Sequence, residues 1–584
     1  MRCADTGESR GIRGHLLSHR EAATAAAEYF RGARIPESLE GALNSAYSER
    51  PRDVIAYLSN YFAELSNPPV ISRVRGRKVL DGAGKDTLEV DVFCMVRNMD
   101  KRICSAVISA DADMAPSLAG SDVSGTTEKS VKSVERAMEW IQESIGPDLE
   151  GILPSEQSTI DQILSDFFKP KMEEERRRRE AEQHAAAPPA GSDPTPPVTP
   201  PTSKKKGSAK GKKAAVTEKP IPPADPPELV VGGSPAVGAV SLAVATCTAT
   251  LREVPLYSYI SALKHEEMPS KLMLPAPFIT LLSYGKSGKL RFMKEVMMVP
   301  PPGLTAQQSV ELALSLQAQI MKHTDTVGKS GQMVIKSVSA LGCLALAADR
   351  VEQPLDLIRE ACEELGLALG TDVYLAINCA AHELMDYNKG KYEVLSGAWK
   401  SPEEMVDLYV DLISRYPAVT ALVDPLRKED SSQWETLAKA LGDRCYIITD
   451  VASRSVSNLL QGGILPASSG AVLKHANQTT VSDLLAAVRL IEGEKQVAVL
   501  GCLNEESSED SMVDLAVGLG VRFMKLGGLL RGERATKYNR LLAIEEDLLN
   551  SDRLGSYSQF DFPVLWSEPQ VSANQEEAAA VSPR

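Results

Sequence analysis

Between Ile279 and Asp552 short apolar runs alternate with helical patterns such as Pro354 to Gly366 and Met405 to Tyr416, and this alternation predicts a β/α barrel. Its clearest unit is Val521 to Leu548, VRFMKLGGLLRGERATKYNRLLAIEEDL. Arg522 to Lys525 reads as a short strand ending in a lysine, Gly527 and Gly528 break it, and Tyr538, Leu541, Leu542, Ile544 and Leu548 recur at helical spacing. Barrels of this kind build their sites at strand ends, so Lys525 is a candidate functional residue.

The chain has 584 residues, room for one large barrel and smaller pieces. A formal net charge of -14 argues against a specific nucleic-acid binder. Nine cysteines run from Cys3 to Cys502 without a Cys-x-x-Cys pair, several inside apolar runs, and read as buried thiols rather than zinc ligands or disulfides. The polar start MRCADTGESRG carries no secretory pattern and favours a cytoplasmic setting. Leu229 to Cys247 is the most membrane-like stretch, but Gly232, Gly233, Ser234, Pro235 and Gly238 interrupt it, so a buried helix is expected rather than a span.

Residues 1–69 read as a small helical module. Pro51 and Asp53 suit a first helical turn, and Val54, Leu58, Tyr61, Phe62 and Leu65 form one apolar stripe. Residues 70–260 follow as an α+β domain, interrupted at 169–227 by a charged, proline-rich, then lysine-rich segment expected to be a disordered insert. The barrel spans 261–552, and the polar tail 553–584 is expected to be disordered. GAGKD at Gly82 to Asp86 is not a phosphate loop, because the earlier glycine is missing and Asp86 stands where Ser or Thr is required.

The glycine pair after Lys525, followed by Arg531, Glu533, Arg534, Lys537, Tyr538 and Asn539, resembles the enolase segment that closes the last turns of its barrel. Asp81, Gly84, Thr87, Glu89, Val90 and Asp91 resemble the enolase amino-terminal hairpin, and the likeness resumes at Gly233 to Val244, Val254 to Tyr257 and Leu274 to Pro277. The implied fold class is α/β: an enolase-type α+β domain plus a (β/α)8 TIM-like barrel. The helical module resembles the dimerisation and docking helices of protein kinase A regulatory subunits, which implies a homo-oligomer, a dimer in that family, whose groove takes an amphipathic-helix anchoring protein. The layout is most like the divergent enolase four family, associated with glycolysis and the sperm flagellum.

The resemblance also implies site roles. Enolases dehydrate 2-phosphoglycerate to phosphoenolpyruvate with a lysine base and magnesium, a superfamily role long used as an example of pKa-tuned chemistry. Lys474, in GAVLKHANQ, matches the proton acceptor; Glu295 and Lys525 match substrate contacts. Of the three metal ligands, Asp, Glu and Asp, only Asp450 is kept, with Asn378 and Val423 at the other positions. Asp424 is adjacent to Val423 and is expected to point to the opposite face. The acid loop aligns with Ser339 to Leu344, placing Leu341 at the general acid. The phosphate grip becomes Gly501-Cys502-Leu503-Asn504, and a family histidine becomes Lys286. The mobile lid serine has no clear counterpart in Ser109 to Asp113.

Two function classes remain open. One is a magnesium-dependent hydro-lyase with weakened metal chemistry, acting on a phosphoglycerate. The other is a pseudoenzyme that organises glycolytic enzymes in a cilium through its first helices. Losing ligand and acid groups implies very low dehydration activity, since each such group is worth about a hundredfold. Keeping the lysines while losing carboxylates implies a basic pocket for a small anion.

Overall fold

A computed structural model describes residues 23–109, 123–186, 223, 228–265, 267–284, 288–327, 337–453, 455–463 and 465–560. Lys286 and the segment 110–122 lie outside the described residues. The chain divides into two compact units, one of residues 1–70 with 95–101 and one of 71–94 with 102–584.

In the first unit, α1 (Ile35–Glu49) and α2 (Val54–Leu65) form a helical pair. The Asp53 carboxylate caps α2 by accepting from the Ala56 amide at 2.9 Å. The pair meets through small groups: Ala42 and Ala46 are buried, and Ser45 shares a 2.6 Å hydrogen bond with the Tyr57 hydroxyl. The stripe on α2 is only partly covered, for Val54, Phe62 and Leu65 remain exposed.

The chain continues as an antiparallel meander, β1 (Val70–Leu80), β2 (Asp86–Val96) and β3 (Met99–Ile108), in that sheet order and mostly within the second unit. Val90, Val92 and Cys94 alternate onto the buried face of β2. The α3 helix (Val123–Trp140) follows, then α4 (Gln157–Ala186). The segment 169–186, read from sequence as the start of the insert, is therefore helical. Its charges are what sustain it: Glu175 pairs with Arg179 one turn on at 3.4 Å, and Arg178 with Glu175 at 2.6 Å.

The α5 helix (Pro235–Leu251) is buried from Pro235 to Ala245, as expected for the interrupted apolar stretch. Among the described residues no single helix is long and apolar enough to cross a membrane. Near its start the Gly238 amide donates to the Asn477 carbonyl at 3.1 Å, and a Cβ at Gly238 would lie 2.6 Å from that oxygen. Glycine is required there by close approach of two backbones.

Eight strands close the barrel: β4 (Ala276–Tyr284), β5 (Glu295–Val299), β6 (Tyr374–Asn378), β7 (Val419–Val423), β8 (Tyr446–Thr449), β9 (Gly470–Leu473), β10 (Val497–Gly501) and β11 (Phe523–Gly527). β11 pairs with β4 in parallel, Phe523 opposite Ala276, which completes the ring. β5 alone runs against both its neighbours. Phe278, Met297, Val299, Ala376, Ala421, Val423, Tyr446, Ile448, Val472, Val499 and Phe523 fill the interior as one core.

Candidate functional site

The reversed strand decides which residues meet. Glu295 is the first residue of β5, yet it pairs with Asn378, the last residue of β6. An all-parallel barrel would put a strand's first residue at the far end. Here the antiparallel strand delivers Glu295 to the same mouth as Lys474, which follows β9, Asp450, which follows β8, and Lys525 near the end of β11.

These groups form a continuous charged cluster. Lys525 Nζ lies 2.9 Å from Glu295 Oε1 and 3.6 Å from Asp450 Oδ2, and Lys474 Nζ lies 2.8 Å from Asp450 Oδ1. Glu295 further accepts from the Asn378 amide nitrogen at 2.6 Å and the Thr280 hydroxyl at 3.0 Å. Glu295 is fully buried, and burial alone would raise its carboxyl, but the Lys525 charge and the Asn378 hydrogen bond outweigh burial and hold it below the usual range. The same contest at Asp450 ends the same way, with Lys474 and Lys525 overcoming burial. Burial opposes the Lys525 ammonium, yet Glu295 and Asp450 keep its pKa above the ordinary lysine value.

The other sector of the mouth is differently used. Val423 packs in the barrel core, so its side chain faces inward as a ligand would, but it carries no donor. Asn378 turns its nitrogen to Glu295 and its oxygen accepts from the Ala380 amide at 3.2 Å. Asp424 leaves the strand with φ of 46°, and its carboxylate accepts from the amides of Asp450 and Val451 at 2.7 Å each and of Ala452 at 3.3 Å. It is thus excluded as a metal ligand because its oxygens hold the next loop, and not because of simple strand alternation. Burial, then the nearby Asp450 charge, push its carboxyl up. His382 Nδ1 stands 3.7 Å from Asp424 Oδ2.

The glycine pair is explained by what lies against it. Gly527 has φ of 86°, and a Cβ there would sit 2.7 Å from the Leu341 carbonyl oxygen; at Gly528 a Cβ would sit 2.3 Å from that of Gly342. The Gly528 amide donates to the Leu341 carbonyl at 2.7 Å, pinning the 339–343 turn to the last barrel strand. Arg534, buried, donates to the carbonyls of Leu503 at 2.7 Å and Asn504 at 2.9 Å, and Tyr538 donates to the Gly527 carbonyl at 2.6 Å. The carboxy-terminal motif therefore holds loops in place rather than touching the charged cluster. The Ser109 hydroxyl accepts from the Ser507 amide at 3.2 Å.

The family model for the enolase C-terminal TIM barrel domain matches residues 271–560. Enolase 4 of Xenopus tropicalis is 59% identical over 545 residues, covering 93% of this chain and 94% of that protein. The chain belongs to the enolase family. Enolase 4 of Homo sapiens is 47% identical over 578 residues, covering 95% of this chain and 92% of that protein, and Enolase 4 of Danio rerio is 40% identical over 559 residues, covering 94% and 96%.

Enolases normally use magnesium. Magnesium takes hard oxygens in octahedral array. Of the three positions expected from the sequence to ligate metal, Asn378, Val423 and Asp450, only Asp450 carries a carboxylate, and two lysines lie against it. Among the described residues no group of three or more His, Cys, Asp or Glu is placed to hold a metal. The donor set does not fit magnesium.

Proposed function

We propose that the barrel mouth is an enolase-derived pocket that binds a small phosphorylated carboxylic acid, of the phosphoglycerate class, without magnesium. The observation that carries this reading is the Lys474–Asp450–Lys525–Glu295 cluster. Lys474 is the partly exposed member, with about a quarter of its side chain accessible (26%). Its nitrogen lies 2.8 Å from the Asp450 carboxylate, and in this reading Lys474 serves as an anion-binding group rather than a proton acceptor. No group at Val423 draws Asp450 away from it, and Leu341, at the aligned acid position, has no proton to give.

Calorimetry with 2-phosphoglycerate in chelator is expected to show binding that Lys474→Ala removes. Absorbance of the enol product with excess magnesium is expected to show no turnover above that variant. Turnover that vanishes in Lys474→Ala would overturn the reading and establish the hydro-lyase, with Lys474 as base. Restoring donors by Asn378→Asp with Val423→Glu is expected to create magnesium binding that calorimetry detects.

A second role is supported by the first unit, where α2 has no buried residue and exposes Ile55, Phe62 and Leu65. Such a face suits self-association or docking of an amphipathic helix, and the family likeness points to glycolytic assembly in the sperm flagellum. Removing residues 1–69 is expected to abolish partner binding and flagellar placement while leaving anion binding intact; loss of anion binding as well would count against separate roles.

A further inference from the structure

Three cysteines from three elements converge where the meander meets α5. Cys94 on β2 and Cys247 on α5 are fully buried, with their sulfurs 3.5 Å apart. Cys104 on β3 is partly exposed and donates to the Ala243 carbonyl at 3.2 Å, one turn before Cys247 on the same helix. Cys247 thus touches Cys94 directly, while Cys104 meets the same helix one turn earlier. By contrast, Cys343 faces the Ser339 hydroxyl and Cys502 the Met512 thioether. None of the three cysteines belongs to the charged cluster at the mouth, and neither that site nor the family comparison uses them.

We propose that Cys104, Cys247 and Cys94 form a peroxide-responsive thiol relay that ends in a Cys94–Cys247 disulfide. The geometry gives each sulfur one task. Cys104 is the accessible member, so a hydroperoxide reaches it first: the thiol sulfur takes the terminal oxygen as the O–O bond breaks, giving Cys104 sulfenic acid and water or an alcohol. Cys247 then attacks the Cys104 sulfur. The S–S bond forms as the S–O bond breaks, and the hydroxyl leaves as water with the Cys247 proton. Cys94, in contact with Cys247, next attacks the Cys247 sulfur and returns its own proton to Cys104, regenerating that thiol. Across the relay two thiols lose two electrons and two protons, and one peroxide bond is reduced. Neighbouring Cys104 and Cys94, together with burial, push the Cys247 thiol up, which keeps it protonated and unreactive until a sulfenic acid stands beside it. The Cys94 and Cys247 sulfurs, already 3.5 Å apart, close to bonding distance as the disulfide forms.

Trypsin separates the three thiols, because Arg97, Arg102 and Arg252 place Cys94, Cys104 and Cys247 on different peptides. Full-length protein treated with hydrogen peroxide is expected to yield a Cys94–Cys247 linked peptide that dithiothreitol reverses. Cys104→Ser is expected to slow its formation by about tenfold or more, because the entry thiol is gone. Cys94→Ala is expected to trap the Cys104–Cys247 link instead. A Cys94–Cys247 link forming equally fast in Cys104→Ser would overturn the relay, and so would oxidation confined to sulfinic acid on Cys104 with no linked pair.

Discussion

Two sectors of one barrel mouth, built from the same kind of strand end, use their polar groups in opposite ways. Around Lys474 and Lys525 each carboxylate meets an ammonium, and only Lys474 is partly exposed. Around Asn378, Val423 and Asp424 the polar atoms are turned to backbone amides or to Glu295, and one position is simply core. The lesson is that carboxylate count does not define a metal site. Asp424 is present, buried and next to Val423, where the sequence led one to expect a ligand, yet its oxygens are occupied by the loop it organises.

The contrast is broken most severely at Lys525. Lys525→Met would leave Glu295 buried without its countercharge, and chemical denaturation is expected to show a loss of about 3–5 kcal/mol. Lys474 is more exposed, and in the proposed function it binds the anion. Lys474→Ala is expected to weaken phosphoglycerate binding by about a hundredfold in calorimetry, with little loss of stability.

Acid tests the sectors against each other. Glu295 and Asp450 have folded pKa values below their ordinary ones, so their contribution is present above pH 4.5 and lost as pH falls below it. Asp424 is raised, so it works in the opposite sense and blunts the loss. His475, beside Lys474, is lowered by burial to about 4, so its contribution is complete above pH 6.5 and disappears on the way down to 4. Denaturation at stepped pH is expected to show a decline of about 3 kcal/mol across that interval, largely removed in His475→Gln. The smallest effect belongs to Thr280→Val, which deletes one of the hydrogen bonds to Glu295 and is expected to cost about 1 kcal/mol.

Much of the site was legible because strand ends announce themselves. Lys525 before its glycine pair, Lys474 after GAVL and Asp450 after YIIT each close an apolar run, and the structure brings all three together. Glu295 was named only through the family resemblance, since it opens a strand and no strand-end pattern marks it. The signal was there: 10 residues separate Tyr284 from Glu295, too few for a parallel crossover. The role of Asp424 depends on a loop from the next strand, which no local pattern encodes. The helical course of 169–186 was missed because its stability comes from charge pairs along one surface and not from an apolar stripe.

The contact between Gly238 and the Asn477 carbonyl has a consequence for anyone wishing to cut this protein. The family's barrel boundary at residue 271 leaves α5 on the discarded side, although α5 is threaded against the turn that follows Lys474. A fragment begun there would carry every charged residue of the mouth and still lack the wall that shapes one of its loops. The catalytic ancestry of the barrel is modular on paper, but the folded object is indivisible at that seam.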